Sequence, residues 1–167
     1  MKKLLLLLAM AIMVIGLVAG CGKSADNGGD KKSGTIGFSV STLNNPFFVS
    51  MKEGVEAQAK ALGLKVKIVD AQNDPAKQAN DISDLIESGV SVLIINPVDS
   101  AAISTSVEAA NAKNIPVITV DRSADKGKVV AHIASDNVKG GEMAAQLIVD
   151  KVGKAAKVAE IEGIPGA

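Results

Sequence analysis

The chain has 167 residues, with 18 basic side chains balanced by 18 acidic ones, one His, one Cys, three Phe and neither Trp nor Tyr. Without Lys2 and Lys3 the acids outnumber the bases by two, so there is no electrostatic footprint for nucleic acid. One Cys excludes an internal disulfide, and one His with no second His or Cys nearby is a poor start for a metal site.

Residues 1–20 read as an export signal. Lys2 and Lys3 form a positive start, Leu4 to Val18 is an apolar run, and Val18-Ala19-Gly20 closes it with small residues, the pattern of a cleaved signal rather than a membrane span. Cys21 follows directly, and Val18-Ala19-Gly20-Cys21 resembles a bacterial lipobox, which implies lipid attachment at Cys21. The alternative is a plain signal peptide with an incidental Cys. Residues 21–33, rich in Gly, Ser, Lys and Asp, have too little apolar surface to order themselves and are expected to be a flexible tether.

From residue 34 onward, strand and helix patterns alternate. Thr35–Val40 reads as a strand. Asn45-Pro46 then opens a helix to Leu62, with Asn45 as N-cap and Pro46 at the first position. Its expected core stripe is Phe48, Met51, Val55, Ala59 and Leu62, and Phe47 falls off that stripe. Gly63 stops the helix and Lys65–Val69 is the second strand. Asp74-Pro75 caps a second helix with Ala79, Ile82 and Ile86 as its inward stripe and Gly89 as its stop. Ser91–Ile95 is an unbroken apolar strand of the buried parallel kind. A third helix from about Asp99 buries Ile103, Val107 and Ala110 and ends at Asn114, before a fourth strand at Pro116–Val120. This order predicts an α/β fold, a doubly wound parallel sheet.

The rhythm then changes. Residues 123–128 are too short for a helical crossover, yet Val129–Ala134 is strand-like, in an orientation the sequence leaves open. A helix follows Ser135-Asp136-Asn137, with Val138, Ala145, Leu147, Ile148 and Val152 as apolar positions. A last strand is expected at Lys157–Ile161. With no partner following it, that strand would be a bare edge, so the chain reads as an N-terminal piece: one nearly complete domain, 34–135, and a crossing into a truncated second one, 136–167.

Ligands of open parallel sheets bind beyond the carboxyl ends of the strands. Asn44 and Asn45 stand there after strand one, with Phe47 and Phe48 beside them. Asp70, Gln72 and Asn73 follow strand two, Asn96 follows strand three, and Asp121-Arg122 follow strand four. Arg122 is the only Arg in the chain. Aromatic rings can cover the C–H faces of a neutral polyhydroxylated ligand while amides, a carboxylate and a guanidinium bond its hydroxyls. Each residue also has a plainer role: Asn45 as a cap, Asn96 in a turn before Pro97, Asp121-Arg122 as a local ion pair, His132 as a strand residue. No dinucleotide Gly-x-Gly-x-x-Gly, no Walker loop and no Gly-x-Ser-x-Gly elbow occurs, so no cofactor is implied and the pattern suits holding a sugar better than breaking one.

Four segments, Ser41–Ser50 (STLNNPFFVS), Ile95–Ser100 (INPVDS), Ile115–Arg122 (IPVITVDR) and Ala131–Asn137 (AHIASDN), resemble the D-ribose-binding family. These are substrate-binding proteins of sugar ABC transporters, in the type I periplasmic-binding-protein group, which also resembles the effector domains of LacI-type repressors. The resemblance covers residues 34–167 and implies two α/β domains closing on a pentose, with a first hinge crossing near Ser135-Asp136. It implies that Asn45, Phe47, Phe48, Asn96, Asp121 and Arg122 line the sugar site, with further contacts from a second domain. It also implies, as partners, D-ribose or a similar monosaccharide and the transporter permease, with a chemoreceptor as an open alternative. The implied location is outside the cell membrane, anchored through Cys21. Another sugar or autoinducer-2 as ligand, or an exported sugar-processing enzyme, are the competing readings. A LacI-type regulator should begin with a helix-turn-helix where this chain has its export signal.

Overall fold

The computed structural model describes residues 34–163. The expected signal, Cys21 and the tether lie outside them. Five strands form one sheet: β1 (Thr35–Val40), β2 (Lys65–Asp70), β3 (Val92–Ile95), β4 (Val117–Val120) and β5 (Ala131–Ile133). Four helices accompany them: α1 (Pro46–Ala61), α2 (Pro75–Glu87), α3 (Ser104–Ala112) and α4 (Asn137–Val152). The strand order is β2-β1-β3-β4-β5 and every pairing is parallel. The chain steps outward from β1 to β2, then returns past β1 to β3. The winding therefore reverses between β1 and β3, which is where doubly wound sheets open a crevice.

Local chemistry sets the helix starts. Asn45 caps α1 by accepting the Phe47 N–H, and Asp74 caps α2 by accepting those of Ala76 and Lys77, each with Pro in the first turn. Gly63 and Gly89 follow the helix ends with positive φ. Asp99 accepts the N–H groups of Ala101 and Ala102, so it caps a turn that leads into α3 rather than α3 itself.

The sheet has two unlike faces. One carries Leu93, Ile95 and Val117, buried against Ile82 and Leu85 of α2 and Val107 and Ala110 of α3. The other carries Phe38 and Val40, buried against Phe48 of α1. On this second face Ile94, Ile118, Val120 and Ile133, with Met51 and Val55 of α1 and its C-cap Leu62, line an open apolar groove.

Three expectations need correction. Leu62 belongs to no core stripe; it is the C-cap residue and 60% exposed. The buried residues of α2 are Gln78, Ile82 and Leu85. Of the expected stripe Ile82 is buried and Ile86 packs against the same core, but Ala79 is exposed and Gln78 goes inside, because its side chain finds hydrogen-bond partners there. Lys157–Ile161 forms no strand. A strand needs a ladder for its backbone groups, and among the described residues none pairs with this segment. α4 forms as expected, capped by Asp136 through the Lys139 N–H, but none of its apolar positions is buried.

β5 runs parallel to β4, which settles the orientation left open by the sequence. In place of a crossover helix, residues 121–130 return as a strap along α3. Asp125 N–H donates to Ser100 O, Lys126 N–H to Ser104 Oγ and Lys128 N–H to Asn111 Oδ1, while Asn111 Nδ2 donates to Lys128 O. Ser100 lies one turn's length before α3, and Ser104 and Asn111 lie two turns apart on it. Gly127 is the close approach: its φ is +89°, and a Cβ there would lie 2.6 Å from Val107 Cγ1.

Candidate functional site

The carboxyl ends of β1, β3 and β4 meet at one buried side chain. Asn96 is fully buried. Its Oδ1 accepts the Ser41 N–H at 3.1 Å, and its Nδ2 donates to Val120 O at 3.1 Å and to Asp121 Oδ2 at 3.4 Å. Both ends of its amide are thus engaged within the fold. It is brought into the site, but as the joint of three strand ends that reaches the carboxylate of Asp121.

Asp121 leaves β4 with φ at +66°. In a strand, consecutive side chains point to opposite faces. The left-handed residue breaks that alternation, so Asp121 and Arg122 share one side, with Arg122 Nε 4.0 Å from Asp121 Oδ2. Arg122 Nη1 donates to Pro97 O at 3.1 Å, and its guanidinium carbon lies 5.6 Å from the centre of the Phe48 ring. A guanidinium over an aromatic face is attracted by the ring quadrupole.

Phe48 is 6% exposed and Phe47 55% exposed. Their rings meet edge to face with centroids 5.2 Å apart. Phe48 is core below the site, whereas Phe47 presents an apolar surface at the mouth, as its place off the helix stripe predicts. Asn45 Oδ1 is held by the Phe47 N–H at 2.9 Å, and its exposed Nδ2 group makes no hydrogen bond to the described residues.

Beside Asp121 and Arg122 a polar cleft of about 470 Å³ is also lined by Ser100, Ser123, His132 and Asn137. His132 Nδ1 lies 2.9 Å from Thr119 Oγ1 on the neighbouring strand. None of these four was among the expected site residues, although Ser100, His132 and Asn137 lie in the segments that carry the family resemblance. His132 and Asn137 come to the cleft because β5 is parallel to β4, which spacing alone did not reveal.

A doubly wound parallel sheet with amides, aromatic rings, one carboxylate and one guanidinium at its switch point defines a ligand-binding α/β domain. The sequence matches the periplasmic binding protein domain over residues 36–167. The chain belongs to that family, whose location is extracytoplasmic.

Among relatives, it is 67% identical over 141 residues to the ribose import binding protein RbsB of Bacillus subtilis, covering 84% of this chain and 46% of that one. It is 48% identical to the protein of the same name from Haemophilus influenzae, covering 99% and 54%. The chain therefore spans about half the length of these relatives. Among solved structures, the periplasmic binding protein of a Shewanella arabinose transporter, bound to L-arabinofuranose, superposes with a TM-score of 0.73 at 31% identity, over 79% of this chain and 45% of that one. The Caulobacter myo-inositol binding protein gives 0.67 at 35% identity, over 71% and 40%.

Proposed function

We propose that this chain supplies half of an extracytoplasmic binding site for a monosaccharide, D-ribose in the first place, and that the complete protein passes the sugar to the permease of an ABC transporter. The observation that carries this is the grouping of Arg122, Asp121 and the two Phe rings at the reversal of winding. Arg122 and Asp121 bond hydroxyls, with the carboxylate accepting two. Phe47 packs on a C–H face, and Asn45 Nδ2 donates from the rim. Asn96 contributes by fixing Asp121.

Residues 34–135 form the sugar-binding domain in this reading, and 136–167 cross into a second domain that closes over the ligand. Cys21 carries the lipid that holds the mature protein at the outer face of the membrane, each buried CH₂ adding about 0.8 kcal/mol. Labelled fatty acid incorporated by the wild type and lost in Cys21→Ser tests the anchor.

The direct test of function is calorimetric titration of D-ribose into the complete mature gene product, including any residues encoded beyond Ala167, with glucose, galactose and autoinducer-2 as competitors. Saturable binding with ribose recovered unchanged is the expected result. Absence of ribose binding overturns the ribose assignment. Consumption of ribose supports an exported enzyme instead. Binding of another ligand fits a second specificity within the same family, a reading favoured by the arabinofuranose and myo-inositol held by the structural relatives.

A further inference from the structure

A glutamine in the hydrophobic core is the least expected feature of this domain. Gln78, on α2, is 1% exposed and occupies the inward stripe with Ile82 and Leu85. An amide there is costly to bury unless its hydrogen bonds are made, and an apolar residue would pack as well. Gln78 Nε2 donates to Asn96 O at 2.9 Å and to Ser39 Oγ at 3.1 Å, and its Oε1 accepts the Val98 N–H at 2.8 Å. One side chain therefore grips the backbone on both sides of Pro97.

We infer that Gln78 is the positioning residue of the sugar site: by clamping Asn96-Pro97-Val98 it sets the orientation of Asp121 and Arg122, neither of which it touches. Two contacts leave the clamped turn. Pro97 has no N–H, so its carbonyl is its peptide's contribution, and that carbonyl accepts from Arg122 Nη1. The Asn96 side chain donates to Val120 O and Asp121 Oδ2. If the turn shifts, the acceptor for the guanidinium and the donor to the carboxylate shift together. Phe48 anchors Arg122 by the ring face alone, which fixes height over the ring but not direction in its plane.

The inference rests on the sugar-site reading, and its test uses two readouts that fail separately. The first is D-ribose affinity of the complete gene product by calorimetry. The second is the Nε–H resonance of Arg122 in a ¹⁵N correlation spectrum, assigned by its loss in Arg122→Lys. Gln78→Met is expected to weaken ribose binding at least about tenfold, the scale of one lost charged hydrogen bond. It should also move the Arg122 resonance toward the position of a solvated arginine while the backbone amides stay dispersed. In an Arg122→Met background the same change should cost clearly less than it does in the wild type, because the part carried by Arg122 is already lost and only the part carried through Asn96 and Asp121 remains. Ser39→Ala, which leaves the clamp on residues 96–98 in place, should keep both readouts.

An unmoved Arg122 resonance in Gln78→Met, or penalties that simply multiply in the double variant, overturns the inference. If Gln78→Met does not fold, Gln78→Glu, which keeps the acceptor for Val98 and loses the amide donor, is judged by the same two measurements. If the wild type does not bind ribose, the ribose reading fails, and the positioning role stands or falls on the resonance alone.

Discussion

Arg122 rests with its guanidinium 5.6 Å from the centre of the Phe48 ring, and the two residues lie on different elements, β4's exit and α1's first turn. The ring that closes the core beneath the site therefore also supports the one Arg of the chain. Three features hold that side chain: the ring face, the Pro97 carbonyl and the Asp121 carboxylate. Lys cannot reproduce this, since its ammonium neither stacks nor forks. Arg122→Lys is expected to lower ribose affinity about 10–100-fold, the range of about 1.5–3 kcal/mol for a charged hydrogen bond. Stability should change by less than about 1 kcal/mol, as for other partly exposed charges. Calorimetry beside denaturant unfolding checks both.

The adjacent phenylalanines should separate binding from folding. Phe47 is 55% exposed and Phe48 is 6% exposed. Phe47→Ala is expected to leave unfolding free energy within about 0.5 kcal/mol, the usual range for a surface change, while reducing ribose affinity. Phe48→Ala should cost about 3–5 kcal/mol of stability, as for other buried aromatic truncations. Urea midpoints and titrations on the same two variants decide it, and a Phe47→Ala protein with normal affinity removes Phe47 from the site.

Two glycines make opposite predictions. Gly54 sits within α1 with open space around its Cβ position, so Gly54→Ala should stabilise by about 0.5–1 kcal/mol through helix entropy. Gly127 combines φ of +89° with a Cβ position 2.6 Å from Val107 Cγ1. Gly127→Ala should destabilise by at least about 1–2 kcal/mol from backbone conformation alone, plus the displacement of the strap from α3. Chemical unfolding of the two variants measures the contrast.

Much of this was legible in the residues. Asn45-Pro46 and Asp74-Pro75 mark helix starts because capping is local chemistry, and β1 to β4 follow from apolar runs of strand length. The strap at 121–130 was not legible, because its bonds to Ser100, Ser104 and Asn111 are contacts between distant residues that no local spacing records. Gln78 was missed for a related reason. Composition rules place glutamine outside, and only the assembled strand ends give its amide partners. The candidate residues near the strand ends were readable as a set. Their division of labour was not, since Asn96 and Phe48 prove buried while Asn45 and Phe47 face out.

Asp121 allows backbone and ligand roles to be told apart. Its φ of +66° is tolerated by Asp and Asn but strained for Ala by about 1–2 kcal/mol. Asp121→Asn keeps that tolerance and an oxygen for the Asn96 Nδ2, so unfolding free energy should stay within about 0.5 kcal/mol of the wild type. It loses the charge and half of the acceptor capacity, so ribose affinity should fall at least about tenfold. Asp121→Ala should show both the affinity loss and the added instability. If Asp121→Asn instead unfolds early and binds normally once folded, the carboxylate serves the turn and its pairing with Arg122, and the hydroxyl contacts must come from Arg122 and Asn45 without it.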